Sequence, residues 1–493
     1  MENPFVSQAA GVQSATPARI VAVQNWDFTA PAGVDASYRG RMLWLTSMEF
    51  RWVNFKEEPV GSSTKSSNRR ELLKGGALAV GAAAAGAVAT RAFGQAVAPG
   101  AVSPLNFADN EAPQIPTPPD QLAYGIRSKY IKTIRIQEAE KAATVNARYD
   151  EFGLTLHIYS PIGDQVGSFA PNSLHYFATT KGTFVPDIDP ATHTLTINGL
   201  VDRPRVYSLA DLKRLPSVSR FHFIECSANN HSATQKTVQA SHGAHSNSEW
   251  TGVLMSTLLK EAGVQANGQW VVYEGAENEK GANTIPMNKA MDDVIVAYGQ
   301  AGEPVRPNNG FPLRTVVPGY EGIFNIKWLR HIKVVDQYQL NMNDYGHLRR
   351  DYQGAALGMQ WGPKSVITSP SGAQKLPDKG WYEITGLAWS GMGKVAKVEV
   401  STDGGKTWQV AELKNTPTPK ADVRFGLMWN WDGEEHLIMS RTTDSVGLIQ
   451  PTRKQAEKAL GVTFAGLNNT IMAWQVGKDG SVTNGYGAIG DIA

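Results

Sequence analysis

The chain has 493 residues, and its 47 Lys and Arg against 45 Asp and Glu give a formal net charge of only +2. Such a balance argues against a nucleic-acid-binding surface spread over the molecule, because that binding needs a basic excess to neutralise phosphates. With 42% hydrophobic and 19% charged residues, the chain can bury sizeable cores. This composition excludes disorder throughout and favours two or three domains.

The chain contains a single cysteine, Cys226. One thiol cannot form an intramolecular disulfide, a zinc knuckle, an iron–sulfur site or a Cys-x-x-Cys-His haem attachment. Any redox chemistry therefore needs a bound cofactor that takes at most one thiolate, and we expect no haem in this chain.

An arginine pair, Arg69 and Arg70, precedes a run of small residues over 77–90 and a cleavage-like end near Ala96. The run is too short and too weakly apolar for a membrane-spanning helix. Residues 48–96 are similar to a twin-arginine export signal, which implies a periplasmic location; the alternative is a basic, alanine-rich linker. Residues 1–47 are interpreted as a doubtful extension, with Met48 as a possible start, and residues 97–125 as a linker.

Residues 126–363 mix short strands and short helices. Alternating residues predict a strand over 194–201, and Ser208 with Asp211 forms a capping-box-like start of a helix. A second helix is predicted over 256–262, ending at Gly263, and strands over 270–273 and 313–317. The pattern indicates an α+β domain without βαβ regularity.

After residue 364 the pattern changes to short alternating runs separated by turn signals. These runs cover 381–389, 395–401, 408–413, 424–431, 437–444 and 470–476. Such spacing without long helices predicts an all-β sandwich of the immunoglobulin type over 364–493. Residues 361–379 contain three prolines and are interpreted as the linker between the domains.

Cys226 follows an apolar run and begins a polar turn, in the segment Phe221-His222-Phe223-Ile224-Glu225-Cys226-Ser227-Ala228-Asn229-Asn230-His231. Ligands are often bound where strands open into loops. A thiolate is a soft metal ligand, and one suffices when a cofactor supplies the other donors. Two alternatives are a buried small hydrophobic cysteine and a zinc site with His222, His231, His242 and His245. Titrating pocket histidines are a further use for these side chains.

The order of several short motifs resembles the sulfite oxidase family of molybdopterin enzymes. The matching stretches cover 185–190, 197–204, 225–229, 249–253, 310–314, 317–322, 326–329, 387–391 and 401–408. Within that family the chain is most similar to the sulfane dehydrogenase subunit of the Sox sulfur-oxidising system, through residues 209–222, 322–325, 364–375 and 382–391. The resemblance implies an α+β molybdopterin-binding (sulfite oxidase) fold over 126–363, followed by an immunoglobulin-like dimerisation domain over 364–493.

The resemblance also implies roles for single residues. Cys226 matches the thiolate that binds molybdenum, and Arg314 and Lys327 match basic residues that hold the pterin phosphate and ring. Asn309 stands where sulfite oxidases have a histidine, so it is expected to offer an amide to the cofactor. Trp250 matches an aromatic residue that walls the substrate pocket.

Two tyrosines compete for the catalytic position. Tyr345 matches the sulfane dehydrogenase pattern, whereas Tyr352 matches that of sulfite oxidases, and the sequence leaves both open. Where the family has anion-binding arginines, this chain has Thr180 and Lys181 at the first position, Asn230 or His231 at the second, and Lys394 at the third. Lysine, histidine and amides lack the bidentate fork of arginine. Sulfite is therefore doubtful as the preferred substrate, and a bulkier or less charged sulfur compound fits better.

The resemblance implies a periplasmic oxidoreductase with one molybdenum-molybdopterin per chain, acting on an inorganic or protein-bound sulfur compound. Its electrons would pass to a c-type cytochrome subunit, and the chain would form a homodimer without a membrane span. Two alternatives remain at this point: a sulfite dehydrogenase and a cofactor-poor binding protein on the same fold.

Overall fold

The computed structural model describes residues 125–128, 130–137, 156–179, 185–227, 229, 234–276, 281–341, 360–460 and 467–487, together with Pro119 and Ala123. These residues belong to one compact unit, Ile115–Ala493. The predicted extension and export signal, and almost all of the predicted linker over 97–125, lie outside the described residues. None of the described helices is both long enough and apolar enough to cross a bilayer.

The part before residue 342 combines short strands with short helices, which confirms the α+β prediction. Its strands are β1 (Ile136–Gln137), β2 (Leu156–Tyr159), β3 (Phe177–Thr179), β4 (Thr194–Gly199), β5 (Arg205–Ser208), β6 (Ser217–Glu225), β7 (His245–Leu254), β8 (Trp270–Gly275), β9 (Ala282–Pro286), β10 (Ile295–Gln300), β11 (Glu303–Pro304), β12 (Arg314–Val316) and β13 (Leu329–Val335). Its helices are α1 (Leu209–Arg214), α2 (Val238–His242), α3 (Met255–Ala262) and α4 (Met287–Ala290).

These strands form sheets in the orders β1-β2-β3, β11-β10-β7-β6 and β5-β4-β13-β8-β9, and β12 also pairs with β10. Strand β13 runs parallel to β4, whereas β7 pairs antiparallel with both β6 and β10. An apolar core that includes Leu212, Leu258 and Ile332 joins the helices to the strands. This arrangement brings the carboxyl end of β6 against the beginning of β7.

Local sequence rules account for the helix boundaries. The Ser208 hydroxyl accepts from the Asp211 N–H, and the Asp211 carboxylate accepts from the Ser208 N–H, so the predicted capping box is present. Helix α3 ends at Gly263, whose φ of 73° is in the left-handed region that favours glycine. The predicted start and stop signals therefore act as expected.

The carboxyl-terminal part is a two-sheet sandwich, as predicted. Its strands are β14 (Lys364–Ser369), β15 (Gly380–Trp389), β16 (Val395–Ser401), β17 (Gln409–Val410), β18 (Glu412–Leu413), β19 (Val423–Trp431), β20 (His436–Asp444), β21 (Ala473–Val476) and β22 (Val482–Asn484). The sheet orders are β14-β15-β19-β18 and β17-β16-β20-β21-β22. Helix α5 (Arg453–Leu460) lies between β20 and β21.

Two sequence predictions for this part were incomplete. The segment interpreted as a proline-rich linker contains β14, because Pro363 and Pro370 flank that strand and so leave its backbone free to pair with β15. Helix α5 was not predicted. The sandwich core also includes Ile162, Phe223 and Val238 from the preceding part, so one apolar core continues across the predicted domain boundary.

Candidate cofactor site

Cys226 immediately follows β6, as the sequence predicted. Its N–H donates to the Ala244 carbonyl at 2.9 Å, and its carbonyl accepts from the Asn229 N–H at 3.0 Å. The sulfur is half-buried and lies 3.8 Å from Nε2 of His157. The sheet therefore holds the backbone of Cys226 while its thiol stays accessible to a ligand.

Glu225, the residue before Cys226, is fully buried. Its Oε1 accepts from Nζ of Lys364 at 2.6 Å and its Oε2 accepts from Nε1 of Trp389 at 2.7 Å. Burial alone would raise the pKa of Glu225, but the Lys364 ammonium holds it below its ordinary value. The carboxylate is therefore ionised at neutral pH.

A second buried ion pair lies beside the first. His245 Nε2 is 2.9 Å from Oδ2 of Asp422, and His245 Nδ1 is 3.8 Å from Oε2 of Glu225. Burial would lower the pKa of His245, but the two carboxylates outweigh it and raise the pKa to about 9. Burial raises the pKa of Asp422 while His245 opposes that rise, and burial lowers the pKa of Lys364 while Glu225 opposes that fall, so Glu225 and Asp422 each depend on a buried cation, Lys364 or His245. This set of four residues is called the buried charge cluster below.

Arg314 begins β12, and its guanidinium is almost completely buried. It donates to the carbonyls of Asn309 at 2.7 Å and Asn325 at 3.2 Å, and it lies 4.7 Å from the ring of Trp250. Burial lowers the pKa of Arg314 to about 10, so it remains a cation. Among the described residues no carboxylate pairs with it, and an anionic ligand would supply the missing counter-charge.

Lys327 and Arg314 are brought together around Gly310. This glycine has φ of 116°, and a Cβ there would lie 3.0 Å from Lys327 Cβ and 3.1 Å from Arg314 Cβ. The Lys327 ammonium donates to the Ala178 carbonyl at 2.7 Å, close to the end of β3. Only glycine allows this close approach of the two basic residues.

Asn309 is placed differently from the expected cofactor contact. Its Nδ2 donates to the Asn172 side-chain oxygen at 2.7 Å and to Gln300 Oε1 at 2.9 Å, while its backbone carbonyl accepts from Arg314. The structure therefore uses this amide to fix the loop that holds Arg314. A direct contact with the cofactor stays a prediction.

Trp250 is fully buried rather than open to a pocket. Its Nε1 donates to the His222 carbonyl at 3.1 Å, and its ring contacts Arg314 on one side and His175 on another. The ring of Trp250 therefore packs against the Arg314 guanidinium. The expected role as a wall of the substrate pocket stays a prediction.

Four predicted catalytic residues lie outside the described residues: Lys181, His231, Tyr345 and Tyr352. The structure therefore does not bring them into the site or separate them from it, and the choice between the two tyrosines remains open. Their roles stay predictions that the resemblance implies.

His222 and His245 do not match the titrating role that the sequence suggested. Burial lowers the pKa of His222 to about 4, and His245 is held as a cation by Asp422. Across the described part of the chain, no three His, Cys, Asp or Glu side chains are grouped so that they could hold a metal ion. The alternative of a zinc site around Cys226 thus finds no support among the described residues.

Sequence reasoning missed His157, His175 and Lys364. His175 is buried, and burial together with Arg314 lowers its pKa to about 3; its Nε2 has no hydrogen-bond partner among the residues that the structure describes. For His157 the sequence did offer a signal, because this polar residue lies inside an apolar alternating run. For His175, which follows the turn Asn-Ser-Leu, the sequence offered no signal. The prolines around Lys364 indicated a linker, so the sequence gave no reason to expect this lysine in a buried site.

Comparisons with known proteins agree with this geometry. Residues 182–343 match the model of the oxidoreductase molybdopterin binding domain, and residues 358–465 match that of the Mo-co oxidoreductase dimerisation domain. Both matched regions include residues of the site: Cys226, Arg314 and Lys327 in the first, Lys364 and Asp422 in the second.

Among curated relatives, the mitochondrial sulfite oxidase of Drosophila melanogaster is 32% identical over 334 residues, covering 61% of this chain and 56% of that protein. The NAD(P)H nitrate reductase of Hordeum vulgare is 32% identical over 306 residues, covering 54% of this chain and 33% of that protein. The chain thus spans between a third and just over half of these relatives.

A solved structure covers more of the chain. The sulfane dehydrogenase SoxCD from Paracoccus pantotrophus matches with a TM-score of 0.64 and 32% identity, over 75% of this chain and 99% of that one. The likeness to a sulfane dehydrogenase that the motifs indicated is confirmed. The chain belongs to the sulfite oxidase family of molybdopterin oxidoreductases.

Proposed function

We propose that this chain is a periplasmic oxidoreductase of the sulfane dehydrogenase type. It oxidises an inorganic or protein-bound sulfur compound with one molybdenum-molybdopterin per chain and passes the electrons to a c-type cytochrome subunit. The location rests on the arginine-pair segment of the sequence. The substrate class rests on the missing anion-binding arginines and on the similarity to a sulfane dehydrogenase.

The observation that carries the proposal is the buried charge of Arg314, which pairs with no carboxylate among the described residues. A buried guanidinium without a carboxylate is costly unless a ligand neutralises it. The pterin phosphate of the molybdenum cofactor is such a ligand, and it suits the forked hydrogen bonding of arginine. Lys327, beside Arg314 across Gly310, would add a second positive charge. The residues present therefore fit the cofactor.

Cys226 would hold the molybdenum through its sulfur. When bound, the cofactor supplies two-electron redox chemistry that protein side chains cannot supply. The buried charge cluster holds the backbone beside the thiol, and Cys226 packs against an apolar cluster that includes Tyr176, Ile224 and Trp250. These residues keep a thiolate in one position and limit the access of water.

The described part of the substrate region supports a weakly charged substrate. The turn over 391–394, where the family pattern has arginine, presents the exposed side chains of Met392 and Lys394 instead. Lysine gives charge without the two parallel hydrogen bonds of arginine. A sulfur atom carried on a persulfide or thiosulfonate places less charge there than free sulfite does.

The test is the molybdenum content and turnover of the purified mature protein and of Cys226→Ser. We expect about one molybdenum per wild-type chain, and a folded variant without turnover, because a serine hydroxyl is a harder and less acidic ligand than a thiol. Ser217→Ala, at the exposed far end of β6, is the matched control and should retain turnover.

The substrate is tested on the same preparations. Turnover with a persulfide carried on a peptide cysteine should exceed turnover with sulfite. Wild-type protein without molybdenum, when made in cells that produce the cofactor, would instead indicate a cofactor-poor binding protein. Efficient turnover of sulfite alone would indicate a sulfite dehydrogenase.

A further inference from the structure

Side chains of the carboxyl-terminal sandwich reach the residue directly before Cys226. Lys364 at the start of β14 pairs with Glu225, and Trp389 at the end of β15 donates to the same carboxylate. Nε1 of Trp361 donates to the Glu225 carbonyl at 3.2 Å. All three side chains are fully buried. Both the side chain and the backbone of Glu225 are thus held from the sandwich.

The neighbouring strand is held in the same way. His245, which opens β7, is paired in register with Glu225, and its ring binds Asp422 from the sandwich and stacks on Trp389 at 4.0 Å. The Ala244 carbonyl beside it accepts the Cys226 N–H. The last residue of β6 and the first residue of β7 are therefore both bound by side chains of the sandwich.

Two cations lie near Glu225 among the described residues: His245, at 3.8 Å, and Lys364, which lies 139 positions later in the chain and makes the shorter contact of 2.6 Å. A buried ion pair is rarely needed for stability, since apolar residues of similar volume serve as well. What a short, charge-assisted hydrogen bond provides is a fixed direction and distance. An ion pair is thus suited to set the position of the adjacent residue.

We propose that Lys364 is a positioning residue for the Cys226 thiolate, so that the sandwich domain forms part of the cofactor site as well as an interface between chains. The inference rests on the proposed function, because the position of Cys226 matters through the molybdenum that it would hold. Small displacements of a ligating atom change the geometry at the metal, which is why supporting residues are usually rigid.

The test compares Lys364→Met with the double variant Glu225→Gln/Lys364→Met. The single variant removes the shorter ion pair of a buried carboxylate and can fail to fold, whereas the double variant removes both charges and keeps an acceptor for Trp389. Lys397→Met is the matched control, because this half-exposed sandwich lysine pairs with Glu399 at 3.0 Å, outside the buried charge cluster.

The first measurement needs no cofactor. Amide hydrogen exchange of residues 221–227 in cofactor-free protein should accelerate at least about tenfold in the double variant, because the end of β6 loses its ionic anchor. Exchange in β16 should stay within about twofold, since the backbone of that strand pairs with β17 and β20 and not with β6. Lys397→Met should leave residues 221–227 unchanged.

The second measurement uses the loaded protein. The sulfur-to-metal charge-transfer absorption of the double variant should shift while its molybdenum content stays near that of wild type. Lys364→Arg, which keeps the ion pair, should restore the wild-type band.

Unchanged exchange of residues 221–227, or an unchanged absorption band in the loaded double variant, would overturn the positioning role. Wild-type protein that binds no molybdenum would refute the proposed function instead. In that case accelerated exchange would still support the anchoring of Cys226 by Lys364, and unchanged exchange would refute it.

Discussion

Replacing Asp422 with Asn should destabilise the protein in a manner that depends on pH. In the wild type, the Asp422 carboxylate lies 2.9 Å from Nε2 of His245 in a fully buried site. Together with Glu225, this carboxylate keeps His245 protonated, with a pKa of about 9 against an ordinary value of 6.5. The neutral amide of asparagine removes the larger of the two contributions, so that burial then lowers the pKa of His245 against Glu225 alone.

The magnitude follows from the difference in pKa. The rise of the His245 pKa from 6.5 to about 9 corresponds to about 3 kcal/mol of folding free energy, which Asp422 and Glu225 provide together. Because the folded-state pKa of His245 is raised, this stabilisation is fully present below pH 6.5 and is lost as the pH rises through 9. Asp422→Asn should therefore cost up to about 3 kcal/mol at pH 6 and less than about 1 kcal/mol at pH 10.

Scanning calorimetry of the mature protein at pH 6, 8 and 10 measures this effect. The loss at pH 6 should lower the Tm by up to roughly 4 °C. Asp432→Asn is the matched control: Asp432 also lies 2.9 Å from a histidine Nε2, that of His436, but its side chain is 60% exposed, and exposed pairs contribute little to stability. A loss of equal size at pH 6 and pH 10 would refute the assignment of a protonated His245.

Short-range signals in the sequence predicted the fold well. The Ser208 capping box, the Gly263 helix stop and the period-two strands depend on residues within a few positions of each other. Cys226 was predicted at a strand end for the same reason, since the change from apolar to polar residues lies within one segment. These features need no knowledge of what packs against them.

Long-range contacts were not predictable in this way. The sequence around Lys364 is typical of a linker because of its prolines, yet this lysine is buried against Glu225, 139 positions earlier. The pairing of Lys364 with Glu225 is set by the sheet topology and not by any local sequence pattern. His157 likewise lies beside Cys226 from 69 positions away. Single-sequence reasoning finds such residues only through a resemblance, and here the resemblance did not name them.

Three further predictions concern the cofactor, the assembly and the substrate. Gly310→Ala should lower the molybdenum content, because its Cβ would press on Arg314 and Lys327. Gly447→Ala, also at positive φ but in open space, is the control. Equal molybdenum content in both variants would count against the role of Arg314 and Lys327 in holding the cofactor. The mature protein should sediment as a dimer at micromolar concentration, in line with its dimerisation domain; a monomer that persists as concentration rises would contradict this. Finally, Thr180→Arg should improve sulfite turnover. Thr180 lies outside the described residues, so the argument rests on the arginine that the family pattern has there. A bidentate arginine–oxyanion contact contributes roughly 1.5–3 kcal/mol, or about 10- to 150-fold in kcat/KM for sulfite. Thr180→Lys adds the charge without the fork and should give a smaller gain. If the wild type already oxidises sulfite at micromolar KM and the arginine adds nothing, the anion pocket is intact and the chain is a sulfite dehydrogenase.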